Sequence, residues 1–354
     1  NNNSGGDVLL VGGGSGSLLG ATGLASSELW NFRRMSRQAG PSMGTARALQ
    51  LGVQLGDGRT LMIGGADQNG NVLASCEIYD PATNSFSPTG SMSTPRILNG
   101  ACLLTDGRVL TCGGTSTLLP DVLAAVNGTL NSAEIYDPST GTWSGTAAIG
   151  GRRLAPALTL LPNGQAMVSG GIELALLFGV PIGAASTNKV QRWNPATGTW
   201  ANGPNMTTDR AGHQYNQVRL NDGRILMSGG TFLSLPTLLS TLVTGTRDSA
   251  EVYTPATNSW ATYSMSTSRT LHSATLLSDG RVAVCGGAQG TLDAPIPIDG
   301  VEVFSPVTNS WTSAPALLQA RASHVANLLP DGTLILFGGQ GAASTLTSIE
   351  TIRF

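Results

Sequence analysis

One recurring pattern limits how this chain can fold more than any other feature. A hydrophobic run ends in a Gly-Gly pair seven times, at Gly12, Gly64, Gly113, Gly170, Gly229, Gly286 and Gly338. In six of these copies an Asp-Gly or Asn-Gly pair lies seven residues upstream. Such a turn between two apolar runs is a strong hairpin signal. Each copy therefore predicts two antiparallel strands, which we name A and B.

Two further strands are predicted after each hairpin. Downstream of the third Gly-Gly pair, residues 132–143 read SAEIYDPSTGTW, and most copies carry a related segment. AEIY alternates as a half-buried strand does, and DPST is a turn because Asp bonds its own backbone while Pro fixes the next dihedral. We name AEIY strand C, and strand D begins at the Trp. Four strands in about 50 residues cannot bury both sheet faces alone, whereas radially packed sheets can.

These marks resemble the Kelch repeat, whose Gly-Gly, Tyr and Trp positions stand in nearly every copy. The Asp-Gly hairpin and the YDP turn resemble the galactose-oxidase-like branch of that family. The resemblance covers essentially the whole chain. It implies an all-β, seven-bladed β-propeller of Kelch type with four-stranded antiparallel blades, forming one domain over residues 1–354. The predicted blades span residues 1–43, 44–92, 93–149, 150–206, 207–265, 266–317 and 318–354.

The two terminal blades are predicted to be incomplete. The chain begins at the A–B turn of the first copy and ends after strand C of the seventh, so strand A and strand D are missing there. Two interpretations stay open. In the first, the sequence is trimmed or the blades tolerate three strands. In the second, a segment of another chain completes a blade by strand addition.

Composition points to an exported protein. Only 11% of the residues are charged, against about 25% in ordinary soluble domains, and Lys189 is the single lysine. A net charge of -2 provides no basic field for nucleic acid or an anionic membrane surface. The sequence contains no run of 18 apolar residues, so no membrane-spanning helix is predicted. Low charge, a neutral polar surface and a missing initiator Met together predict secretion or display on the cell surface.

The cysteines are not predicted to form a disulfide framework. Cys112 and Cys285 take a repeat position that apolar residues fill in other copies, so we expect them to be small buried groups. A two-residue Asp-Gly turn would place Cys102 opposite Thr111. Cys102 and Cys112 would then face opposite sides of the sheet, which disfavours a bridge between them.

Arginine and glutamate recur at fixed positions that strand polarity places on the same face of the propeller. The arginines are Arg47, Arg96, Arg153, Arg210, Arg269 and Arg321, and the glutamates are Glu28, Glu77, Glu134, Glu251, Glu302 and Glu350. The fourth copy has Gln191 instead. We interpret the set as a structural ring of ion pairs and assign no catalytic residue. Glu173 is the one glutamate outside this ring. Glycoside hydrolysis needs two acids that face one substrate, so a hydrolase is not favoured.

The three histidines, His213, His272 and His324, each stand three residues after a ring arginine. Neighbouring blades would bring them near one mouth of the central channel, where three imidazoles can hold zinc or copper. We favour the alternative that each bonds neighbouring backbone, because no carboxylate or cysteine joins them. No metal and no cofactor are therefore predicted. The galactose-oxidase pattern places a Tyr before such a His, but Gly212, Leu271 and Ser323 stand here, so its copper radical activity is not carried over.

The fifth copy departs most from the repeat. Its segment RAGHQYNQVRLNDG is two residues longer than its relatives, and an insertion in a strand predicts a bulge that re-aims side chains. His213, Gln214, Tyr215 and Asn216 are therefore predicted as a polar binding site. The alternative is that the insertion merely accommodates packing.

The connections between strands B and C are longest and most apolar in copies three to five. Loops of such length usually serve a function, and they lie on the face that Kelch domains use for ligands. They either pack on one another and cap the channel, or expose an apolar patch to a partner protein. The candidate binding residues there are Leu118, Leu119, Leu176, Leu177, Phe178, Phe232, Leu235 and Leu238.

These observations favour a non-catalytic protein for binding or assembly. It would engage a protein partner or its own copies through the B–C face, without nucleic acid and without insertion into a membrane. The alternatives are a galactose-oxidase-like or other metal-dependent oxidoreductase, and a lectin. Repeat positions in the core take up most of the aromatic residues, so few rings are left to stack on a glycan.

Overall fold

The computed structural model describes residues 7–12, 14–15, 22–31, 36–118, 127–178, 180–213, 216–237, 241–291 and 294–354. Within these ranges the chain forms thirty-five β-strands joined by turns and short connections. No helix in this part of the chain has the length and apolar character needed to cross a membrane. The segments with alternating apolar residues form strands, as the hairpin signals predicted.

The strand bounds follow the repeat. The first two copies contain β1 (Asp7–Val11), β2 (Gly14–Ser15), β3 (Thr22–Gly23), β4 (Ser27–Asn31), β5 (Ser36–Ala39), β6 (Leu51–Gln54), β7 (Thr60–Ile63), β8 (Cys76–Asp80) and β9 (Ser85–Thr89). The third and fourth contain β10 (Gly100–Leu103), β11 (Val109–Cys112), β12 (Ala133–Asp137), β13 (Thr142–Thr146), β14 (Arg153–Leu154), β15 (Ala157–Leu160), β16 (Ala166–Ser169), β17 (Ile172–Leu177), β18 (Val180–Ser186), β19 (Val190–Asn194) and β20 (Thr199–Asn202). The last three contain β21 (Gln217–Arg219), β22 (Ile225–Ser228), β23 (Thr231–Leu235), β24 (Val243–Thr246), β25 (Ser249–Thr254), β26 (Ser259–Ser264), β27 (Ser273–Leu276), β28 (Val282–Cys285), β29 (Ala288–Gly290), β30 (Pro295–Pro297), β31 (Val301–Ser305), β32 (Ser310–Ala314), β33 (Val325–Leu328), β34 (Leu334–Phe337) and β35 (Ile349–Ile352).

The hydrophobic run before each Gly-Gly pair is strand B of its own antiparallel sheet. The second to sixth copies form four-stranded sheets in the order A-B-C-D: β6-β7-β8-β9, β10-β11-β12-β13, β15-β16-β19-β20, β21-β22-β25-β26 and β27-β28-β31-β32. The first copy contributes β1-β4-β5, which correspond to B, C and D, and the seventh contributes β33-β34-β35, which correspond to A, B and C. Sheets of this kind are the blades of a propeller.

Neighbouring sheets pack on one another all the way round. Five of the apolar clusters each join one sheet to the next, from the second sheet through to the seventh. Val8 packs with Ile335 and Phe337, so the seventh sheet also contacts the first. The side-chain amide of Gln50 donates to the carbonyl oxygen of Val11 at 3.1 Å, which ties the second sheet to the first. The sheets therefore close into a ring, as a β-propeller requires.

Aromatic pairs fill the outer part of this core. Tyr136 on strand C lies opposite Trp143 on strand D, and their ring centroids are 5.2 Å apart. The equivalent Tyr253 and Trp260 are 4.9 Å apart. Such tilted contacts between rings add to the stabilisation that burial provides. The Tyr and Trp marks are therefore explained by packing.

The A–B turns of the second to seventh copies are three residues long. In the third copy the N–H of Gly107 donates to the carbonyl oxygen of Leu104 at 3.1 Å, and the N–H of Leu104 donates to that of Arg108 at 2.8 Å. Gly107 has a φ of +85°. A type I turn followed by a residue in the left-handed region gives this geometry. The two-residue turn assumed from the Asp-Gly pair is therefore wrong.

The longer turn moves the strand register by one residue. Cys102 lies opposite Leu110 and not Thr111, while Cys112 lies opposite Gly100. Because side chains alternate along a strand, Cys102 and Cys112 occupy the same face, so the expectation that they face opposite sides is wrong. The four cysteines, Cys76, Cys102, Cys112 and Cys285, are nevertheless free.

Backbone geometry explains why the repeat needs Gly-Gly. In the second copy Gly64 has a φ of +57° and Gly65 a φ of +101°, and the second value is one that glycine alone enters readily. A Cβ on Gly64 would collide with the main-chain oxygen of Arg96 in the next copy. The pair therefore permits the close approach of adjacent blades.

The B–C connections of the fourth and fifth copies are strands and not loops. β17 and β18 form one hairpin, β23 and β24 form another, and β18 pairs with β23. Together with β14 they build a separate five-stranded sheet in the order β14-β17-β18-β23-β24, which we name the extension sheet. Ile172, Leu174, Ala184 and Leu233 bury its inner part. Mutual pairing of the two connections decides this structure, which neither apolar segment predicts alone.

Candidate functional site

Five ring arginines form buried ion pairs with glutamates of their own copies. Nη2 of Arg210 lies 2.8 Å from Oε1 of Glu251, and neither side chain is exposed to solvent. The other pairs, at 2.6–3.0 Å, are Arg47 with Glu77, Arg96 with Glu134, Arg269 with Glu302 and Arg321 with Glu350. Glu28 differs, because it lies 3.8 Å from Arg37 in a pair that is about half exposed.

Each ring arginine also bridges two copies. The Nη1 group of Arg96 donates to the carbonyl oxygens of Gly113 and Ser132 in its own copy, at 3.0 and 3.2 Å. Its main-chain N–H donates to Leu73 of the preceding copy, and its main-chain oxygen accepts from Gly65 of that copy. The main chain of Arg96 thus binds the preceding copy, and its side chain binds its own copy. This geometry favours the structural interpretation of the ring.

The glutamates hold the segment that leads into strand A. Oε2 of Glu251 accepts from the N–H of Thr207 at 2.7 Å, and Oε1 accepts from the N–H of Thr208 at 3.0 Å. A buried carboxylate is tolerated when a cation and further donors satisfy it. The pair therefore connects the guanidinium, the linker and strand C in one buried network.

The fourth copy breaks this pattern. Arg153 is fully buried, but among the described residues its Nη2 group donates to the neutral amide oxygen of Gln191 alone, at 3.4 Å. Its Nη1 group donates to the main-chain oxygen of Lys189 at 3.0 Å. Burial lowers the pKa of Arg153, whereas the nearby charge of Glu173 acts in the opposite direction. The guanidinium thus lacks the carboxylate that five other copies provide.

A cavity of about 480 Å³ opens beside Arg153. Its lining includes Gly150, Arg153, Lys189, Gln191, Asn202 and Asn205. Two cationic side chains and three amides therefore face one space. The sequence signals were the single lysine and the one glutamine in the glutamate ring, but their meeting at a cavity was not predicted.

The three histidines lie in the interior. Their Nε2 atoms lie 3.2, 2.8 and 2.9 Å from serine hydroxyls of the preceding copies, with the pairs His213–Ser169, His272–Ser228 and His324–Ser273. The favoured alternative anticipated a bond to neighbouring backbone, whereas the partner of Nε2 in each case is a serine side chain. Each imidazole thus joins two blades.

Burial keeps these imidazoles neutral. It lowers the pKa of His213 to about 3 and that of His324 to about 4, and the adjacent ring arginine adds to the effect in both cases. Burial also lowers the pKa of His272 well below the usual range. Since all three values lie far below 7, the histidines carry no charge at neutral pH.

The insertion of the fifth copy lies ahead of its strand A. β21 begins at Gln217 and pairs with β22 without a register shift. The N–H of Asn216 donates to the main-chain oxygen of His213 at 3.0 Å, and both side chains are buried. These two residues therefore do not form a solvent-facing polar site. Gln214 and Tyr215 lie outside the described residues.

The predicted apolar residues of the B–C connections divide into two groups. Leu118, Phe232 and Leu235 are partly buried, and the guanidinium of Arg247 lies 4.5 Å from the ring centre of Phe232. Leu119 and Leu238 lie outside the described residues. The three exposed members are Leu176, Leu177 and Phe178, which are 42%, 54% and 97% exposed.

These three residues lie at the end of the β17–β18 hairpin together with Val180 and Ile182, which are also exposed. We name Leu176, Leu177, Phe178, Val180 and Ile182 the hairpin tip. Sequence reasoning missed Val180 and Ile182, because only the pairing of Leu177 with Val180 shows that the segment turns back on itself. Among the described candidate residues, Leu176, Leu177 and Phe178 are thus the ones that reach solvent.

The sheets and their closure into a ring define a β-propeller, and comparison with known proteins supports the Kelch type. Residues 98–146 match the family described as the Kelch motif. Kelch-like protein 28 of Mus musculus is 33% identical over 98 residues, 26% of this chain and 17% of that protein, so the match spans under a fifth of that relative. A fungal alcohol oxidase of the AA5 family, solved in complex with copper, superposes with a TM-score of 0.74 over 99% of this chain and 72% of that chain. Its sequence identity is 17%, so this likeness concerns the fold alone.

The described residues of this chain do not fit a copper site of that kind. The three candidate imidazoles each bond a serine of the neighbouring blade. The described ranges contain no group of three or more His, Cys, Asp or Glu side chains placed to hold a metal ion. We therefore derive no chemical step through copper.

Proposed function

We propose that this propeller works outside the cell by binding a protein, which is a different partner or a further copy of itself, through the hairpin tip. The observation that carries the proposal is the joint exposure of the five apolar tip residues, with Phe178 at 97%. An exposed apolar cluster typically marks a docking surface, and aromatic anchors contribute most of the binding energy in such interfaces. The low content of charged residues supports the extracellular setting.

The extension sheet holds the tip ready for contact. β18 pairs with β17 on one side and with β23 on the other, and the buried cluster around Leu174 and Leu233 anchors the base. A hairpin that is paired and anchored at its base loses less conformational entropy when a partner docks than an unpaired loop does. The tip therefore combines apolar area with a fixed geometry.

The double variant Leu177→Ser, Phe178→Ser is expected to weaken association about 30-fold or more, since loss of an interface anchor costs at least about 2 kcal/mol. Light scattering behind a sizing column should show wild type above the monomer mass of 36.2 kDa and the variant at that mass. If wild type is monomeric, affinity capture should retain a partner on wild type and lose it on the variant. The matched control is Val307→Ser, a residue 91% exposed in a different blade. Equal association by wild type and the double variant would contradict the proposal.

The alternative function is a galactose-oxidase-like or other metal-dependent oxidoreductase, which the fold of the copper-bound oxidase favours. Metal analysis separates the two functions. After incubation with copper and dialysis, we expect less than about a tenth of an ion per chain, because a specific site needs a satisfied ligand set. Stoichiometric copper that is lost in His272→Gln would favour the oxidoreductase instead.

A further inference from the structure

The fourth copy contains a buried charge that its own fold leaves unbalanced. Arg210, in the fifth copy, makes four side-chain hydrogen bonds, to Gly229, twice to Ser249, and to Glu251. Arg153 makes two in the described structure, to the main-chain oxygen of Lys189 and to Gln191. A buried cation costs free energy unless an opposite charge and hydrogen bonds satisfy it. Arg153 therefore has unused donor capacity.

Two substitutions within the repeat produce this difference. Gln191 replaces the glutamate of the other copies and removes a negative charge. Lys189 replaces the serine whose hydroxyl accepts from the ring arginine in four other copies, which adds a positive charge. Both changes shift the local charge in the same direction, and both face the same cavity.

Glu173 does not complete the balance. Its Oε1 atom lies 2.9 Å from Nζ of Lys189, and no carboxylate of the described residues forms an ion pair with Arg153. Arg153, Lys189 and Glu173 together carry a net charge of +1, whereas an ordinary ring pair is neutral. One further negative charge would balance this place.

We propose that the cavity beside Arg153 is a binding site for the carboxylate group of a small organic acid. The positive charge of a guanidinium attracts a carboxylate, and the ring arginines of five copies form ion pairs with carboxylates. Lys189 supplies a second cation at the solvent side, where it is about half exposed. The bound group restores the charge balance that Glu provides elsewhere.

The rest of the cavity suits a ligand that also carries hydroxyl groups. The amide of Gln191 is held in place, because its oxygen accepts from the N–H of Gly150 at 2.8 Å and its nitrogen donates to Asn202 at 3.1 Å. Asn202 and Asn205 offer further amide donors and acceptors on the exposed side. A volume of about 480 Å³ lies in the range of small-molecule sites. An acidic sugar matches this combination of one carboxylate and several hydroxyls.

Calorimetric titration with glucuronate and glucose tests the proposal, since the two differ only in the carboxylate. We expect glucuronate to bind wild type and glucose to bind at least tenfold more weakly. Gln191→Glu is the matched variant, because it installs the carboxylate that five copies have. It should fold like wild type and lose at least tenfold in affinity for glucuronate. Lys189→Ser, which installs the serine of the other copies, should weaken binding as well.

Three results would overturn the proposal. Equal binding of glucose and glucuronate would remove the role of the carboxylate. Unchanged glucuronate affinity in both Gln191→Glu and Lys189→Ser would place any binding elsewhere. Sulfate binding without binding of glucuronate or acetate would show a site for a different anion. Because the cavity and the hairpin tip share no residue, none of these results depends on the partner proposed above.

Discussion

Replacing Glu251 by Gln is expected to lower the free energy of unfolding by about 3–5 kcal/mol, the usual cost of leaving a buried charge without its partner. Arg210 and Glu251 are both completely buried and 2.8 Å apart. The amide keeps one acceptor but carries no charge, so the Arg210 guanidinium stays desolvated and unbalanced. Equilibrium unfolding in denaturant, followed by tryptophan fluorescence, measures the change.

Glu28→Gln is the control for this measurement. Glu28 occupies the same repeat position, but it pairs with Arg37 at 3.8 Å in a setting that is about half exposed. Surface pairs contribute about 0–1 kcal/mol, so the control should change stability little. A result for Glu251→Gln that equals this control would show that the ring does not stabilise the joints between blades.

The fourth copy does not contradict the expectation, although Gln191 is natural there. Glu173 lies close enough to Arg153 to favour its charged form, and Arg153 borders a cavity in which a further anion can lie. In the fifth copy Glu251 itself is the charge partner of Arg210, and its two oxygens also accept from the N–H groups of Thr207 and Thr208. Replacing it by Gln therefore removes the carboxylate that balances Arg210.

Stability is expected to fall steeply as the pH drops below about 6.5, the ordinary histidine value. In the folded protein the pKa is about 3 for His213, about 4 for His324 and well below normal for His272. Between these values and 6.5 the unfolded chain binds protons that the folded chain cannot bind. The histidine contribution is therefore fully present above pH 6.5 and is lost as the pH falls towards 4.

The size of this effect follows from the number of histidines. Each one contributes a slope of about 1.4 kcal/mol per pH unit within that window. Three together approach about 4 kcal/mol per pH unit between pH 6 and pH 4.5. The adjacent ring arginines oppose protonation of each imidazole. Unfolding curves at pH 7, 6 and 5 measure the slope directly.

The triple variant His213→Gln, His272→Gln, His324→Gln is the matched comparison, because Gln50 takes this position in the second copy and bonds the neighbouring blade. Between pH 6 and 5 its unfolding free energy should change less steeply with pH, by an amount that corresponds to three fewer protons taken up on unfolding. If the triple variant does not fold, His324→Gln alone should reduce the slope by one proton, since His324 is the most exposed of the three. An unchanged slope in the variant that folds would rule out the histidines as the cause.

Repetition made most of the fold predictable. A pattern that recurs in seven copies averages out the ambiguity of any single strand, so the A-B-C-D order and the core positions of Tyr and Trp follow from sequence alone. The pairing of Arg with Glu was also accessible, because strand polarity places both at one face. The register of the hairpins was not, since an Asp-Gly pair is compatible with turns of two or three residues and a one-residue difference reverses the face.

What the sequence determined by itself is therefore the part of the protein where each copy repeats the same local and neighbour contacts. What only the tertiary structure decided lies where copies differ or where separate copies meet. The extension sheet exists because β18 of one copy pairs with β23 of the next. The buried histidines are tolerated because serines of the preceding blades satisfy their Nε2 atoms. The cavity beside Arg153 depends on Lys189 and Gln191 facing one space. Contacts between non-identical copies have no signature in any one repeat, because their energy arises only when the ring closes.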